Sequence, residues 1–222
     1  MLADRLHRIE AWVFDLDNTL YPPEARLLEQ VNARMTACIM RLLGVARAEA
    51  DRIREAYWLS HGITLRGLVE EHGVDPDRFL AETHAIDLSG IGPDPALAEA
   101  VAALPGRRVI HTNGARGHAE GVLAATGLAG LFDAVLAIED KGLVAKPDPR
   151  AYAIMLERTG LDPATAVMIE DTARNLEESR RLGMGTVWLD HGGGRSEAPG
   201  QVDLGVTALA PFRRRAAGAA AP

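Results

Sequence analysis

The sequence has one cysteine, no long apolar run and no excess of basic residues, and each shortage argues against a class of protein. Cys38 is the only cysteine among the 222 residues, so the chain cannot form an internal disulfide. No stretch of about eighteen apolar residues runs without a charge, and no basic segment leads into one, so we expect neither membrane spanning nor secretion. Lysine and arginine number 24 against 31 aspartate and glutamate, and this net charge of −7 disfavours a nucleic-acid partner. We therefore expect a cytoplasmic protein.

The rest of the composition is that of a globular protein. Hydrophobic residues make up 47% and charged residues 25% of the chain. A chain of 222 residues can form one large domain, or one domain that carries a smaller insertion.

Five short apolar runs predict β-strands. They lie at residues 12–14, 108–112, 134–138, 166–170 and 186–189. The last four are separated by amphipathic segments with helix-stop glycines at Gly127, Gly160 and Gly183. Strands that alternate with helices predict a doubly wound α/β fold, in which helices cover both faces of a parallel sheet.

One long interval, between the first strand and the second, contains no convincing strand. Apolar positions recur there at three- and four-residue steps over 24–43, and further helices are expected over 46–60, over 63–72 and from Asp75. We interpret residues 21–87 as a helical cap that overhangs the sheet, with an appendage that has no catalytic role as the alternative. The α/β core then comprises residues 1–20 and 88–212, and residues 213–222 form a flexible tail.

Polar residues follow the ends of several predicted strands. They are Asp15, Asp17, Thr112, Asn113, Lys146, Glu170 and Asp171. Taken singly, each is an ordinary turn or helix-cap residue, but the carboxyl ends of parallel strands meet at one edge of a sheet. Carboxylates gathered there repel by roughly 4 kcal/mol per pair at about 4 Å and an effective dielectric near 20. Oxygen ligands without histidine or cysteine favour Mg²⁺ as the cation that offsets this repulsion.

The order and spacing of these motifs resemble the haloacid dehalogenase-like hydrolase superfamily. The matching motifs are DLDNT (15–19), TN (112–113), KP (146–147) and ED (170–171), with the helical insert after the first. The resemblance implies a phosphohydrolase in which Asp15 attacks phosphorus and forms an aspartyl-phosphate. Asp17 is then the acid that protonates the leaving oxygen and the base that activates water.

The resemblance also implies the remaining roles. Thr112, Asn113 and Lys146 hold the phosphoryl oxygens, and Mg²⁺ binds the side chains of Asp15 and Asp171 and the backbone carbonyl of Asp17. Three further residues are expected to support the site from behind these contacts, and contact through a water stays open for Glu170. They are Glu170, Asn175 and Thr19, of which Asn175 stands where the phosphatase pattern often has aspartate.

Asp17 favours a phosphatase over a dehalogenase within the superfamily, because an alkyl halide needs no protonated leaving group. The strings FDLDNTLYP (14–22), KPDP (146–149) and EDTARN (170–175) are similar to the branch that contains pyrimidine 5′-nucleotidases. This similarity predicts a nucleoside monophosphate as substrate. Phosphoglycolate, a sugar phosphate or pyridoxal phosphate remains open as the substrate, as do a phosphomutase and a non-catalytic binding protein of the same fold.

Aromatic residues do not decide the substrate. Tyr57, Trp58 and His61 of the predicted cap are candidates for contacts with a base, but packing within a helix explains them better, and Tyr21 suits a hinge. We expect a small phosphorylated metabolite as the partner and a monomer or homodimer.

Overall fold

A computed structural model describes residues 7–192 and 200–209 and contains a six-stranded parallel sheet. The strands are β1 (Ala11–Phe14), β2 (Arg107–His111), β3 (Ala134–Leu136), β4 (Ala166–Glu170), β5 (Gly185–Leu189) and β6 (Leu204–Val206), in the spatial order β3-β2-β1-β4-β5-β6. The doubly wound α/β fold is confirmed, and so are the five predicted strands. The sixth strand is only three residues long and only partly buried, so no apolar run marks it in the sequence.

Strand β1 lies at the centre of the sheet, where the direction of winding reverses. The chain runs outward from β1 through β2 to β3 on one side and from β4 to β6 on the other. Phe14, the last residue of β1, pairs with Ile110 of β2 and Ile169 of β4. Residues that follow Phe14 therefore emerge level with the ends of both neighbours, at the position where α/β sheets form their ligand sites.

The side chains of β1 alternate between two apolar layers. Trp12 and Phe14 belong to a cluster on one face of the sheet, and Val13 belongs to a cluster on the other face with Met168 and Met155. Both layers are buried, because helices cover both faces. These helices are α5 (Pro95–Ala102), α6 (Arg116–Ala125), α7 (Pro149–Thr159) and α8 (Leu176–Arg181).

Local signals fix the ends of these helices. The Asp148 carboxylate accepts a hydrogen bond from the backbone N–H of Arg150 and caps α7, with Pro149 at its first position. Gly160 ends the same helix in the left-handed conformation, with φ of 64°. Helix α8 follows a 3-10 turn formed by residues Ala173–Asn175.

Four helices lie between β1 and α5, the helix that precedes β2. They are α1 (Leu27–Leu43), α2 (Arg47–His61), α3 (Thr64–His72) and α4 (Pro76–Thr83), and together we call them the helical insert. Their shared apolar cluster includes Cys38, Leu68 and Phe79, and it extends to Ile138 and Ala145 in the loops beyond β3. The insert therefore packs over the edge of the sheet where the strands end.

Residues 213–222, predicted as a flexible tail, lie outside the described residues. Within the part of the chain that the structure describes, no helix combines the length and the apolar character needed to cross a membrane.

Candidate active site

A buried lysine joins two acids at the centre of the sheet edge. The Lys146 Nζ donates to the Asp15 Oδ1 at 2.7 Å and to the Glu170 Oε1 at 2.8 Å. Asp15 follows β1 directly, Glu170 is the last residue of β4, and Lys146 lies on the loop after β3. The attraction of both carboxylates outweighs burial and raises the pKa of Lys146, so the lysine stays charged. The Thr19 hydroxyl also lies 3.3 Å from the Asp15 Oδ2.

The single positive charge of Lys146 does not neutralise the acids around it. Burial, with the charge of Glu170, raises the pKa of Asp15 from 3.8 to about 7, although Lys146 opposes this shift. Burial and the charge of Asp15 also raise the pKa of Asp171. One carboxylate oxygen each of Asp15, Glu170 and Asp171 lies within 4.8 Å of the others. An all-oxygen group with excess negative charge is the donor set that a hard divalent cation prefers.

Asp17 is held by two side chains on one of its oxygens. The Tyr21 hydroxyl donates to the Asp17 Oδ1 at 2.5 Å, and the His118 Nε2 lies 2.6 Å from the same atom. Burial opposes ionisation of Asp17, but these hydrogen bonds outweigh it and lower the pKa of this carboxyl below 3.8. Asp17 is therefore a carboxylate in this arrangement.

The loop after β2 carries the predicted phosphate ligands. The buried Thr112 Oγ1 accepts a hydrogen bond from the backbone N–H of Gly114 at 2.9 Å. The Asn113 amide contacts the backbone of Lys146 at both ends: its Nδ2 donates to the carbonyl at 3.0 Å and its Oδ1 accepts from the N–H at 2.8 Å. The side chain of Asn113 thus positions Lys146, and its predicted contact with phosphate stays a prediction.

Asn175 contacts Glu170 in this structure. Its Nδ2 donates to the Glu170 Oε1 at 2.6 Å, and the second oxygen of Glu170 accepts from the N–H of Thr172 at 2.8 Å. Trp188 holds the loop from the other side, because its Nε1 donates to the carbonyl of Asp171 at 2.8 Å. The backbone of Asp171 is thus fixed while its carboxylate remains half-buried beside Asp15.

A second buried lysine lies beneath the loop after β2. The Lys141 Nζ donates to the carbonyl of Thr112 at 2.6 Å, and the side chain is 2% exposed. Burial, together with the charge of Lys146, lowers the pKa of Lys141 to about 7. No sequence motif includes Lys141, since it lies in a turn five residues before the lysine of the motif.

Three residues contact the site although the sequence does not predict these contacts. Lys141 and His118 belong to no recognised motif, and the position of Tyr21 in the sequence predicts only a hinge residue. The signal for His118 was weak but present, since histidine is uncommon on the apolar face of a helix that begins beside a strand end. Tyr21 follows Asp17 by four residues, which alone does not predict contact outside a helix.

The aromatic candidates of the helical insert divide into two groups. Tyr57 packs edge-on against His61, with ring centroids 5.4 Å apart, and its hydroxyl lies 2.8 Å from the His72 Nε2. Trp58, by contrast, is 54% exposed, so the packing expected for it is wrong.

Comparison with known proteins places the chain in a family. A model of the haloacid dehalogenase-like hydrolase family matches residues 9–183. The chain therefore belongs to this family. The chain is 26% identical over 196 residues to phosphate metabolism protein 8 of Saccharomyces cerevisiae, covering 80% of this chain and 60% of the yeast protein. It is 30% identical over 112 residues to the (S)-2-haloacid dehalogenase of Xanthobacter autotrophicus, covering 50% of this chain and 44% of that enzyme. The matches thus span less than two thirds of either relative.

A solved structure agrees on the fold. The crystal structure of a HAD phosphatase from Thermococcus onnurineus superposes with a TM-score of 0.63 at 22% sequence identity, covering 93% of this chain and 97% of that one. The chain therefore has the fold of the haloacid dehalogenase-like hydrolase family to which it belongs, with a dehalogenase among its sequence relatives and a phosphatase among the structures that share the fold.

Proposed function

We propose that the protein is a Mg²⁺-dependent phosphomonoesterase that works through an aspartyl-phosphate. The observation that carries this proposal is the second carboxylate, Asp17, held by Tyr21 and His118 two residues from the lysine-bound Asp15. Displacing an alkoxide from phosphorus needs a proton donor, whereas displacing a halide does not. An acid held in this way thus supports phosphate-ester chemistry over dehalogenation.

The residues divide the work between them. Asp15 attacks phosphorus, and the bond from phosphorus to the leaving oxygen breaks as the bond to Asp15 forms. Asp17 gives its proton to the leaving oxygen and then takes one from the water that hydrolyses the aspartyl-phosphate. A bound phosphate brings negative charge close to Asp17 and favours its protonated form before the first step. Lys146 and the hydroxyl of Thr112 stabilise the phosphoryl oxygens.

The acid group fits a magnesium ion. The ion would be held by the side chains of Asp15 and Asp171 and by the backbone carbonyl of Asp17. Glu170 would lie behind these ligands, where it accepts hydrogen bonds from Lys146 and Asn175. Magnesium would neutralise charge on the phosphoryl group and favour the ionised form of Asp15. The raised pKa of Asp15 supports this assignment, because the nucleophile needs a nearby positive charge to be ionised at neutral pH.

We propose a nucleoside monophosphate as the substrate and the helical insert as a cap over it. The motif strings similar to pyrimidine 5′-nucleotidases support this choice. The apolar contact of the insert with Ile138 and Ala145 supports its role as a cap, because it places the insert beside the strand ends that carry the site. Phosphoglycolate, sugar phosphates and pyridoxal phosphate are the competing substrates.

The test is phosphate release from a panel of these monoesters with Mg²⁺ and with chelator, read as kcat/KM. We expect release that requires magnesium and is highest for a nucleoside monophosphate. Asp15→Asn should abolish turnover with the fold retained, and Asp17→Asn should accumulate phosphoenzyme. Halide release from a 2-haloacid without phosphatase activity would replace the proposal by dehalogenation, and a need for a bisphosphate activator would indicate a mutase.

A further inference from the structure

His118 is a buried histidine that the superfamily motifs do not include, yet it contacts a residue of the first motif. Its Nε2 lies 2.6 Å from the Asp17 Oδ1, although the two residues are 101 positions apart in sequence. The His118 side chain is 1% exposed and that of Asp17 is 14% exposed. A hydrogen bond to a carboxylate that is so poorly hydrated is stronger than the same bond at the surface.

The imidazole ring of His118 is fixed on more than one side. Helix α6, which carries it, begins directly after the loop of Thr112 and Gly114. The ring of His84, at the end of α4, lies 5.4 Å away with an interplanar angle of 54°. The His118 Nδ1 is buried and has no hydrogen-bond partner among residues 7–192 and 200–209. The tautomer that donates from Nε2 to Asp17 carries no proton on Nδ1, so no N–H is left unbonded.

The two oxygens of Asp17 have different surroundings. Oδ1 accepts from Tyr21 and His118, which leaves Oδ2 as the oxygen free of these donors. A Cβ atom at Gly114 would lie 3.2 Å from this Oδ2 and 3.3 Å from the Thr112 Oγ1. Oδ2 therefore approaches the loop that is expected to hold the phosphate, and the glycine leaves room for it.

We propose that His118 is a positioning residue that fixes the Asp17 Oδ1, so that the Asp17 Oδ2 carries the proton to the leaving oxygen. The inference rests on the proposed phosphomonoesterase function. In this step the proton leaves Oδ2 as the bond from phosphorus to the leaving oxygen breaks and the bond to Asp15 forms. No further reactant is needed.

A series of aryl phosphates tests this role, because their leaving groups differ in acidity but little in shape. Phenyl phosphate releases a weakly acidic phenol that needs a proton, whereas 2,4-dinitrophenyl phosphate releases a phenolate stable enough to leave without one. Loss of a hydrogen bond that orients the acid should therefore affect the first substrate and spare the second. We expect His118→Ala to lower kcat/KM for phenyl phosphate by about ten- to a hundredfold, and for the dinitrophenyl ester by about threefold or less.

Two further variants sharpen the experiment. His118→Gln retains an N–H donor near the same place and should recover part of the phenyl phosphate activity, which also covers the case in which His118→Ala does not fold. Glu120→Gln changes an exposed side chain on the same helix and should leave both rates unchanged.

The outcomes separate the inference from the function on which it rests. Equal losses on both esters in folded variants, with an active wild type, would overturn the positioning role and leave the phosphatase intact. A wild type that releases no phosphate from any of these esters with Mg²⁺ would overturn the proposed function, and the inference with it.

Discussion

Replacing the proposed nucleophile by asparagine is expected to stabilise the protein when no divalent cation is bound. Burial and the charge of Glu170 raise the pKa of Asp15 from 3.8 to about 7. A carboxyl group with a raised pKa in the folded state contributes its full stability below its unfolded value of 3.8. That contribution is lost as the pH rises towards about 7. Three pKa units correspond to about 4 kcal/mol, which ionised Asp15 costs above neutral pH. Asparagine has the same shape but never ionises, so it avoids this cost.

Urea unfolding in the presence of chelator, followed by circular dichroism, measures the effect. The gain in unfolding free energy for Asp15→Asn should grow by about 3 kcal/mol between about pH 5 and about pH 8. Asp77→Asn is a matched control, because Asp77 is exposed in the first turn of α4, and its stability should follow the wild type at both pH values.

A lower stability of Asp15→Asn at both pH values would refute this reasoning. It would mean that the ion pair of Asp15 with Lys146 outweighs the burial and repulsion that act on the carboxyl. A gain that does not change with pH would refute it as well, since a packing effect would then account for the difference.

Three other substitutions test neighbouring parts of the site. Gly114→Ala places a methyl group 3.2 Å from the Asp17 Oδ2, and kcat should fall about tenfold or more with little change in melting temperature. Lys141→Met removes an ammonium group whose pKa is about 7, and it should weaken product inhibition by inorganic phosphate. This decrease in phosphate inhibition should be largest below about pH 7, where the wild-type amine is charged, and it should become smaller at higher pH. Asp171→Asn should reduce the rise in melting temperature that Mg²⁺ gives the wild type, and an unchanged rise would remove Asp171 from the metal site.

Much of the fold could be predicted because its signals are local. A strand buried on both faces is a nearly continuous apolar run, which marks β1, and β4 up to Glu170, in the sequence. Aspartate-proline and glycine mark the two ends of α7 for reasons of backbone geometry. Strand β6 carries neither signal, since it is short and only partly buried.

The site was predictable only where its residues follow strands. Asp15 and Glu170 lie at the ends of neighbouring parallel strands, so the topology brings them together whatever the details of packing. His118 lies inside a helix, and its contact with Asp17 depends on how that helix is rotated against the sheet. Periodicity places a residue on a face, but it does not select which buried atom the side chain will meet.

Charge balance links the metal, the nucleophile and the order of binding. The buried or half-buried groups of the site are four carboxyls and two amines, namely Asp15, Asp17, Glu170, Asp171, Lys146 and Lys141. Two amines cannot neutralise four carboxylates, and without a cation this excess adds to burial in raising the pKa of Asp15. A divalent cation would supply two positive charges and favour the ionised form of Asp15 for attack. A phosphate that arrived first would add to the excess, so the cation should bind before the substrate.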